Sequence, residues 1–343
     1  MNTIIGLLII AVGSFGQSSS YVPIRKVKDW AWECFWLVQG IFAWLLFPYL
    51  GALLAVPDGQ TLFGIIGSAG TPAILKTIGY GMLWGVGGLT FGLSMRYLGV
   101  AMGQSLALGT CSAFGTLIPA LLKGDNLFHG DGLILLIGVS IAIAGIAVIG
   151  YAGSLRAKNM TEEEKRKAVK DFALKKGILI ALLAGVMSAC FNLGLESGVK
   201  AHMETMNIRD LYVGLPATLL VTIGGFFTNA VFCIYNNIKN GTGKQYFSVP
   251  GNVLTNNLLF CALAGVLWYS QFFGLSMGQS FLQDSPIMLA FSWSILMSLN
   301  VLFSNVWGIL LKEWKGSGQR TVTVLTIGLV ILVVSIVFPQ FMR

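Results

Sequence analysis

The sequence predicts an all-α membrane protein with about ten transmembrane helices in two inverted five-helix repeats. Hydrophobic residues make up 55% of the 343 residues and charged residues only 10%, whereas charged residues make up about 25% of a typical soluble domain. Apolar stretches of about 20 residues, the length that crosses a bilayer as a helix, recur along the chain. Short motifs in the first half also return in the second half.

Ten apolar stretches are candidate spans, and no long polar region separates them. The first stretch lacks the positively charged start of a signal peptide, so we expect a transmembrane helix there. The ninth is long enough to tilt or break in the bilayer. The stretches are 3–22, 35–56, 73–95, 99–122, 131–152, 175–198, 210–235, 255–277, 285–311 and 320–338.

The basic residues predict how the chain is oriented. With the N-terminus outside, 17 of the 22 Lys and Arg residues fall in inner loops and 5 on the outer side. Basic residues concentrate in the cytoplasmic loops of membrane proteins, so we expect both termini outside. The net charge of +8 is therefore interpreted as a topology signal, and we expect no nucleic-acid partner.

A charged segment near the middle separates two predicted repeats. Within it, acidic residues precede basic ones by three and four positions, which favours a cytoplasmic surface helix at 162–167. Five spans on each side give the halves opposite orientations, and such inverted repeats place a substrate site near the bilayer midplane. Identical motifs occur at 91–95 and 273–277, and at 102–105 and 277–280. We predict an N-terminal repeat (1–155), a cytoplasmic linker (156–176) and a C-terminal repeat (177–343).

Amide and aromatic side chains inside the predicted spans suit a neutral sugar. An amide offers a donor and an acceptor to neighbouring hydroxyls, and an aromatic face suits the apolar face of a pyranose ring. The alternative is that the amides join helices and the tryptophans lie at the membrane interface. The predicted cavity residues are Trp84, Gln104, Asn192, Trp268, Tyr269 and Gln271.

Ion coupling requires a titratable group that reaches the cavity. Acidic residues within membranes are rare and mostly functional, and we predict Asp284 first and Glu196 second as coupling acids. The alternative for both is an exposed loop carboxylate. Glu33 we expect to anchor its helix at the membrane interface. Both histidines fall in predicted outer loops, which excludes a buried imidazole relay.

Residues 274–278 match the serine-hydrolase pattern G-x-S-x-G, but that motif needs a strand-to-helix turn and a nearby histidine. Because the segment lies in a predicted span, we interpret its two glycines as a helix-packing face. We expect no enzyme activity, no ATP-binding loop, no cofactor and no metal, and five buried thiols without disulfides. Other predicted packing pairs are Gly81/Gly85, Gly88/Gly92 and Gly99/Gly103.

Six short motifs stand in order along nearly the whole chain. They are K-V-K-D-W-A-W-E (26–33), M-R-Y-L-G (95–99), L-K-K-G (174–177), L-W-Y-S-Q-F-F (267–273), L-K-E-W (311–314) and R-T-V-T-V-L (320–325). Together they resemble the bacterial L-rhamnose–proton symporters of the drug/metabolite transporter superfamily. The resemblance implies ten helices in two inverted repeats and proton-driven uptake of a 6-deoxyhexose. Over 276–291 the sequence departs from the pattern of that family.

We therefore predict a multi-pass secondary transporter of the inner (cytoplasmic) membrane, which takes up L-rhamnose with a proton by alternating access. Its predicted partners are the sugar, the coupling proton and the lipid bilayer, and no oligomeric state is predicted. One alternative is a transporter of another small metabolite. Another is a membrane protein that senses a sugar without moving it.

Overall fold

A computed structural model describes residues 2–98, 100–158, 173–312 and 314–342, and its regular elements in these ranges are helices. The first half contains α1 (Asn2–Ser19), α2 (Tyr21–Ile24), α3 (Trp32–Gly40), α4 (Phe47–Leu53), α5 (Leu62–Ser68), α6 (Thr71–Leu98), α7 (Val100–Leu122) and α8 (Gly130–Lys158). The second half contains α9 (Leu174–Leu195), α10 (Val199–Glu204), α11 (Leu215–Asn240), α12 (Gln245–Ser248), α13 (Gly251–Ser280), α14 (Pro286–Leu310) and α15 (Gln319–Phe341).

The described helices confirm the prediction of an all-α protein with about ten spans. Nine of them are long and apolar enough to cross a membrane, and the bent pair α5 and α6 would make a tenth. The axis turns by 103° between these two helices. The span predicted at 73–95 corresponds to α6 and does not include α5, the short helix that precedes this bend.

Two predicted spans differ in detail from the observed helices. The second contains a π-helical segment, Ile41–Leu46, which joins α3 to α4. Hydrophobic periodicity does not report a change from α- to π-helical hydrogen bonding, so the sequence could not predict it. The ninth, which was expected to tilt or break, forms the continuous helix α14.

The described chain forms two compact units, and each unit takes segments from both halves of the sequence. Unit 1 contains Met1–Gly85 and Gly194–Phe281, and unit 2 contains Val86–Leu193 and Leu282–Arg343. The bounds of these units differ from those of the predicted repeats, 1–155 and 177–343. The repeats stay a prediction. Residues 159–172, with the surface helix predicted at 162–167, lie outside the described ranges.

Glycine allows α1 and α13 to touch through their backbones within unit 1. A Cβ atom built on Gly13 would lie 2.5 Å from the Ser270 carbonyl oxygen, and one on Gly278 would lie 2.8 Å from the Gly6 carbonyl oxygen. The Ser270 hydroxyl donates a hydrogen bond of 2.9 Å to the Gly13 carbonyl oxygen. Gly274 also packs against Gly13. The prediction that residues 274–278 form a packing face is therefore confirmed.

A second glycine contact joins α6 to α11 in the same unit. A Cβ atom on Gly81 or on Gly224 would overlap the backbone of the facing helix, at Val221 and Ile78 respectively. The packing role predicted for Gly81/Gly85 is confirmed, because Gly85 lies against Thr228 and Gly225.

The prediction for Gly88/Gly92 is wrong. A Cβ atom on either glycine would meet nothing within 4 Å in the part of the chain that the structure describes. Of the last predicted pair, Gly99 lies outside the described residues, and Gly103 packs against the Ser94 and Met95 backbone.

Gly13→Leu should destabilise the protein, because its side chain would have to push the α13 backbone away. Overpacking of this kind costs about 1–3 kcal/mol. We expect a lower midpoint of thermal unfolding in detergent, measured by size-exclusion chromatography after heating. Gly88→Leu is the matched control and should leave the midpoint near that of the unmodified protein. Equal midpoints for the two variants would contradict the described α1–α13 contact.

Candidate functional site

Three tryptophans from three separate segments of unit 1 meet in one cluster. Trp44 comes from the π-helical segment, Trp84 from α6 and Trp268 from α13. The ring centroids are 5.8 Å apart for Trp44 and Trp84, 5.9 Å for Trp44 and Trp268, and 5.7 Å for Trp84 and Trp268. These separations are typical of interacting aromatic pairs. We call Trp44, Trp84 and Trp268 the tryptophan cluster.

Two glycines and the π-helical segment make room for the cluster. A Cβ atom on Gly40 would lie 2.8 Å from the Trp44 ring, and one on Gly225 would overlap the Trp84 ring. Any larger residue at either position would therefore displace an indole. π-Helical segments occur frequently at functional sites, and this one carries Trp44.

A fourth tryptophan, Trp36 in α3, extends the cluster and is held in place by an amide. Its ring centroid lies 5.5 Å from that of Trp44, and its indole N–H donates to Asn229 Oδ1 at 3.0 Å. The Asn229 amide in turn donates to the carbonyl oxygens of Gly225 and Gly85, at 2.8 and 3.4 Å. Asn229 therefore links α3, α6 and α11 at one edge of the cluster.

Two polar atoms on α3 and the π-helical segment are buried without a hydrogen-bond partner in the described part of the chain. They are the indole nitrogen of Trp44 and the side-chain oxygen of Gln39, and the two residues are only 4% and 3% exposed. Gln39 follows Trp36 by three residues and so lies on the same face of α3. A buried donor or acceptor left unpaired costs about 1–3 kcal/mol. Hydroxyl groups of a bound ligand could satisfy both atoms.

The structure brings together only two of the four cavity residues predicted in unit 1. Trp84 and Trp268 belong to the cluster, whereas Tyr269 and Gln271 lie on other sides of α13. The Tyr269 hydroxyl packs where a Cβ atom on Gly51 would stand, and the Gln271 Cα atom lies against Gly13. The Gln271 amide donates to the Trp268 carbonyl oxygen at 3.2 Å, so this polar group has the partner that its position in a membrane requires.

The other two predicted cavity residues belong to unit 2. The Asn192 amide donates to the Gly115 carbonyl oxygen at 2.7 Å, a helix-joining role that was the alternative for such amides. Gly115 also makes room for Trp293, which stacks on Phe191 at 6.0 Å. Gln104 is half-buried in α7.

The two predicted coupling acids lie at helix ends. Asp284 is exposed in the turn before α14. Glu196 is partly exposed and lies 3.6 Å from the Lys200 ammonium group, which also donates to Gln279 at 2.9 Å. Lys200 therefore offsets the charge of Glu196.

Glu33 is covered by other side chains at the first turn of α3, and its role as an interface anchor stays a prediction. It is 7% exposed and accepts hydrogen bonds from the Asn240 amide at 3.0 Å and the Thr242 hydroxyl at 2.8 Å. Both donors follow Glu33 by about two hundred residues in sequence, so no local pattern could reveal that they cover it.

The prediction of five buried thiols without disulfides is confirmed. All five cysteines are free and buried. Among the residues that the structure describes, no three His, Cys, Asp or Glu side chains come together in a way that could hold a metal ion.

Three residues of the candidate site, Trp36, Trp44 and Gln39, are not among those predicted from the sequence. A signal for two of them was present, because Trp32, Trp36 and Gln39 are spaced by four and three residues, the spacing of one helix face. Trp44 had no such signal, because the π-helical segment alters the register in which it follows Trp36.

The chain is similar over almost its full length to one family of sugar transporters. The family model described as L-rhamnose-proton symport protein matches residues 1–339. An L-rhamnose-proton symporter of Yersinia pestis (strain Pestoides F) is 34% identical over 339 residues, which cover 97% of this chain and 96% of the relative. A protein of the same name from Mannheimia succiniciproducens is 35% identical over 342 residues, with the same coverage of each chain. The chain thus belongs to the L-rhamnose-proton symport protein family.

Proposed function

We propose that this chain carries L-rhamnose into the cell together with a proton. The relatives that cover nearly its whole length bear that activity in their names. Unit 1 offers a matching surface, the tryptophan cluster with the unpartnered indole N–H of Trp44. Movement by alternating access accords with the secondary transporters that resemble this chain.

The chemistry of a 6-deoxyhexose suits the tryptophan cluster. Its C–H face and methyl group are apolar and can stack on the indole rings of Trp84 and Trp268. Its ring hydroxyls can accept a hydrogen bond from Trp44 and donate one to Gln39. The sugar would then form hydrogen bonds with the two polar atoms that are buried without partners. Binding would remove the free-energy cost of leaving these atoms unpaired, about 1–3 kcal/mol each.

The remaining predicted cavity residues stay proposed contacts of the sugar. Tyr269 and Gln271 flank Trp268 on α13, and Gln104 and Asn192 lie on α7 and α9. Asp284 and Glu196 likewise stay proposed coupling acids, and they compete with the buried Glu33 for that role.

We also propose that the protein lies in the inner membrane with both termini outside. The described helices support a multi-pass membrane protein, and the excess of Lys and Arg in alternate loops supports this orientation.

Proteoliposomes that contain the purified protein should accumulate labelled L-rhamnose when the interior is more alkaline. A gradient of about one pH unit supports up to about tenfold accumulation at one proton per sugar, because one unit corresponds to about 1.4 kcal/mol. The external medium should become alkaline when L-rhamnose is added. A protonophore should abolish accumulation. If L-rhamnose binds but is not taken up, the protein is a sugar sensor and the proposed transport is wrong. If another metabolite accumulates instead, the proposed substrate is wrong.

Trp44→Phe should weaken L-rhamnose binding about two- to tenfold, because it keeps an aromatic ring but removes the indole N–H donor. Binding can be measured by calorimetry on the detergent-purified protein. The matched control is Trp32→Phe, the same change at an exposed indole near the start of α3. A dissociation constant that is the same for both variants would remove Trp44 from the sugar site.

A fusion of alkaline phosphatase to the C-terminus should be active, because this enzyme matures only outside the cytoplasm. A fusion after Arg156, in the loop predicted to lie inside, should be inactive. The reverse pattern of activity would invert the proposed orientation while leaving the helices unchanged.

A further inference from the structure

Glu33 is a buried carboxylate at the first turn of α3, and the sugar contacts proposed above do not use it. Its donors come from the end of α11 and the turn that follows, Asn240 at 3.0 Å and Thr242 at 2.8 Å. The Thr242 hydroxyl also lies 2.9 Å from Asn237 Oδ1. The start of a helix favours a negative charge, so this arrangement holds the ionised form of Glu33.

No cation balances this charge within the described ranges. The titratable groups around Glu33 are the thiols of Cys34 and Cys233 and the phenol of Tyr246. Thiols are mostly neutral at pH 7, and burial raises the pKa of Tyr246 to about 12. Of the basic side chains nearby in sequence, Lys239 lies over the Tyr235 ring at 5.9 Å, and Lys26, Lys28 and Lys244 are exposed. Glu33 is therefore the one group of this cluster that carries a charge at neutral pH in the described conformation.

The same two helices connect Glu33 to the tryptophan cluster. On α3, Glu33 precedes Trp36 by three residues, which places both on one face. On α11, Asn229, Cys233 and Asn237 follow each other at intervals of four and share one face. Trp36 bonds to Asn229 near the cluster, and Glu33 bonds to Asn240 at the end of α11. Polar contacts thus join α3 to α11 beside the cluster and at the carboxylate, and Cys34 Sγ lies 3.3 Å from Asn237 Oδ1 between them.

We propose that Glu33 is the carboxylate whose protonation is coupled to sugar movement. Ionised Glu33 stabilises the contact between α3 and the end of α11 through two charge-assisted hydrogen bonds. Protonation adds one O–H bond at the carboxyl group, removes its charge and roughly halves the strength of those hydrogen bonds. The proton therefore favours a conformation in which this contact opens, and the proton leaves when the contact re-forms.

Coupling between two sites is reciprocal. A sugar that alters the position of Trp36 or Trp44 changes how readily Glu33 takes a proton, and the proton changes the affinity for the sugar. The other two acids fit this role less well in the described structure. Asp284 is exposed to solvent, and Glu196 lies beside the Lys200 ammonium group.

This inference rests on the proposed function, and Glu33→Gln tests it in proteoliposomes. The variant should still exchange labelled L-rhamnose for unlabelled L-rhamnose, a process that needs no net proton movement. It should lose accumulation driven by a pH gradient, so that the internal and external concentrations become equal, and it should lose sugar-induced alkalinisation. The matched control is Glu204→Gln, the same change at an exposed glutamate of α10, which should keep both.

The unmodified protein separates the two hypotheses. If it fails to accumulate L-rhamnose, the proposed function is wrong. If it accumulates the sugar and Glu33→Gln does so equally, the role of Glu33 is overturned. Loss of accumulation in Asp284→Asn or Glu196→Gln, with accumulation kept in Glu33→Gln, would also overturn it.

Thr242→Val provides a second test that does not depend on the folding of Glu33→Gln. It removes one donor to the carboxylate, which disfavours the ionised form and raises the pKa of Glu33. Uptake should be highest at acidic pH and fall as Glu33 ionises, and the fall should move upward by about one pH unit in Thr242→Val. Glu33→Asp should retain pH-dependent uptake with a displaced midpoint. A pH profile unchanged by Thr242→Val would overturn the proposal, whereas a purely structural role would lower stability without moving the profile.

Discussion

Close contact between helix backbones is the constraint on which unit 1 depends. In a bilayer, lipid tails are as apolar as leucine side chains, so helices associate through packing and hydrogen bonds rather than through the hydrophobic effect. Gly13 brings α1 against α13, and Gly81 and Gly224 bring α6 against α11. Trp84 and Trp268 therefore each lie on a helix that packs closely against a neighbour. The indoles can then meet at less than 6 Å, and only a narrow space is left between their rings and the glycines beside them.

Polar contacts then set the orientation of helices that glycine has brought together. Asn229 receives the indole N–H of Trp36 and donates to two carbonyl oxygens. Such fully satisfied networks are costly to break in a low-dielectric interior. The polar atoms of Trp44 and Gln39 differ, because they are buried but unpartnered in the described chain. Unit 1 thus combines fixed hydrogen bonds that build its frame with open ones that a sugar could complete.

The sequence predicted well what depends on local composition. Apolar stretches marked the spans, and the glycines at 274 and 278 marked a packing face that the structure confirms. It predicted the site less well, because successive residues of a helix point about 100° apart and only the neighbouring helices decide which face is useful. Trp268, Tyr269 and Gln271 were treated as one group, yet the first lies in the cluster and the others lie beside Gly51 and Gly13. The burial of Glu33 could not be predicted for the same reason, since the residues that donate hydrogen bonds to it are distant in sequence.

The spacing of the tryptophan cluster has an optical consequence. Indole rings that lie 5.7 to 5.9 Å apart at fixed angles couple their electronic transitions. Such coupling gives near-ultraviolet circular dichroism that depends on the angle between the rings, including the 36° tilt between Trp84 and Trp268. A ligand that entered between these rings would alter that signal directly. The protein therefore carries an intrinsic spectroscopic reporter at its candidate site, and occupancy can be followed without a label.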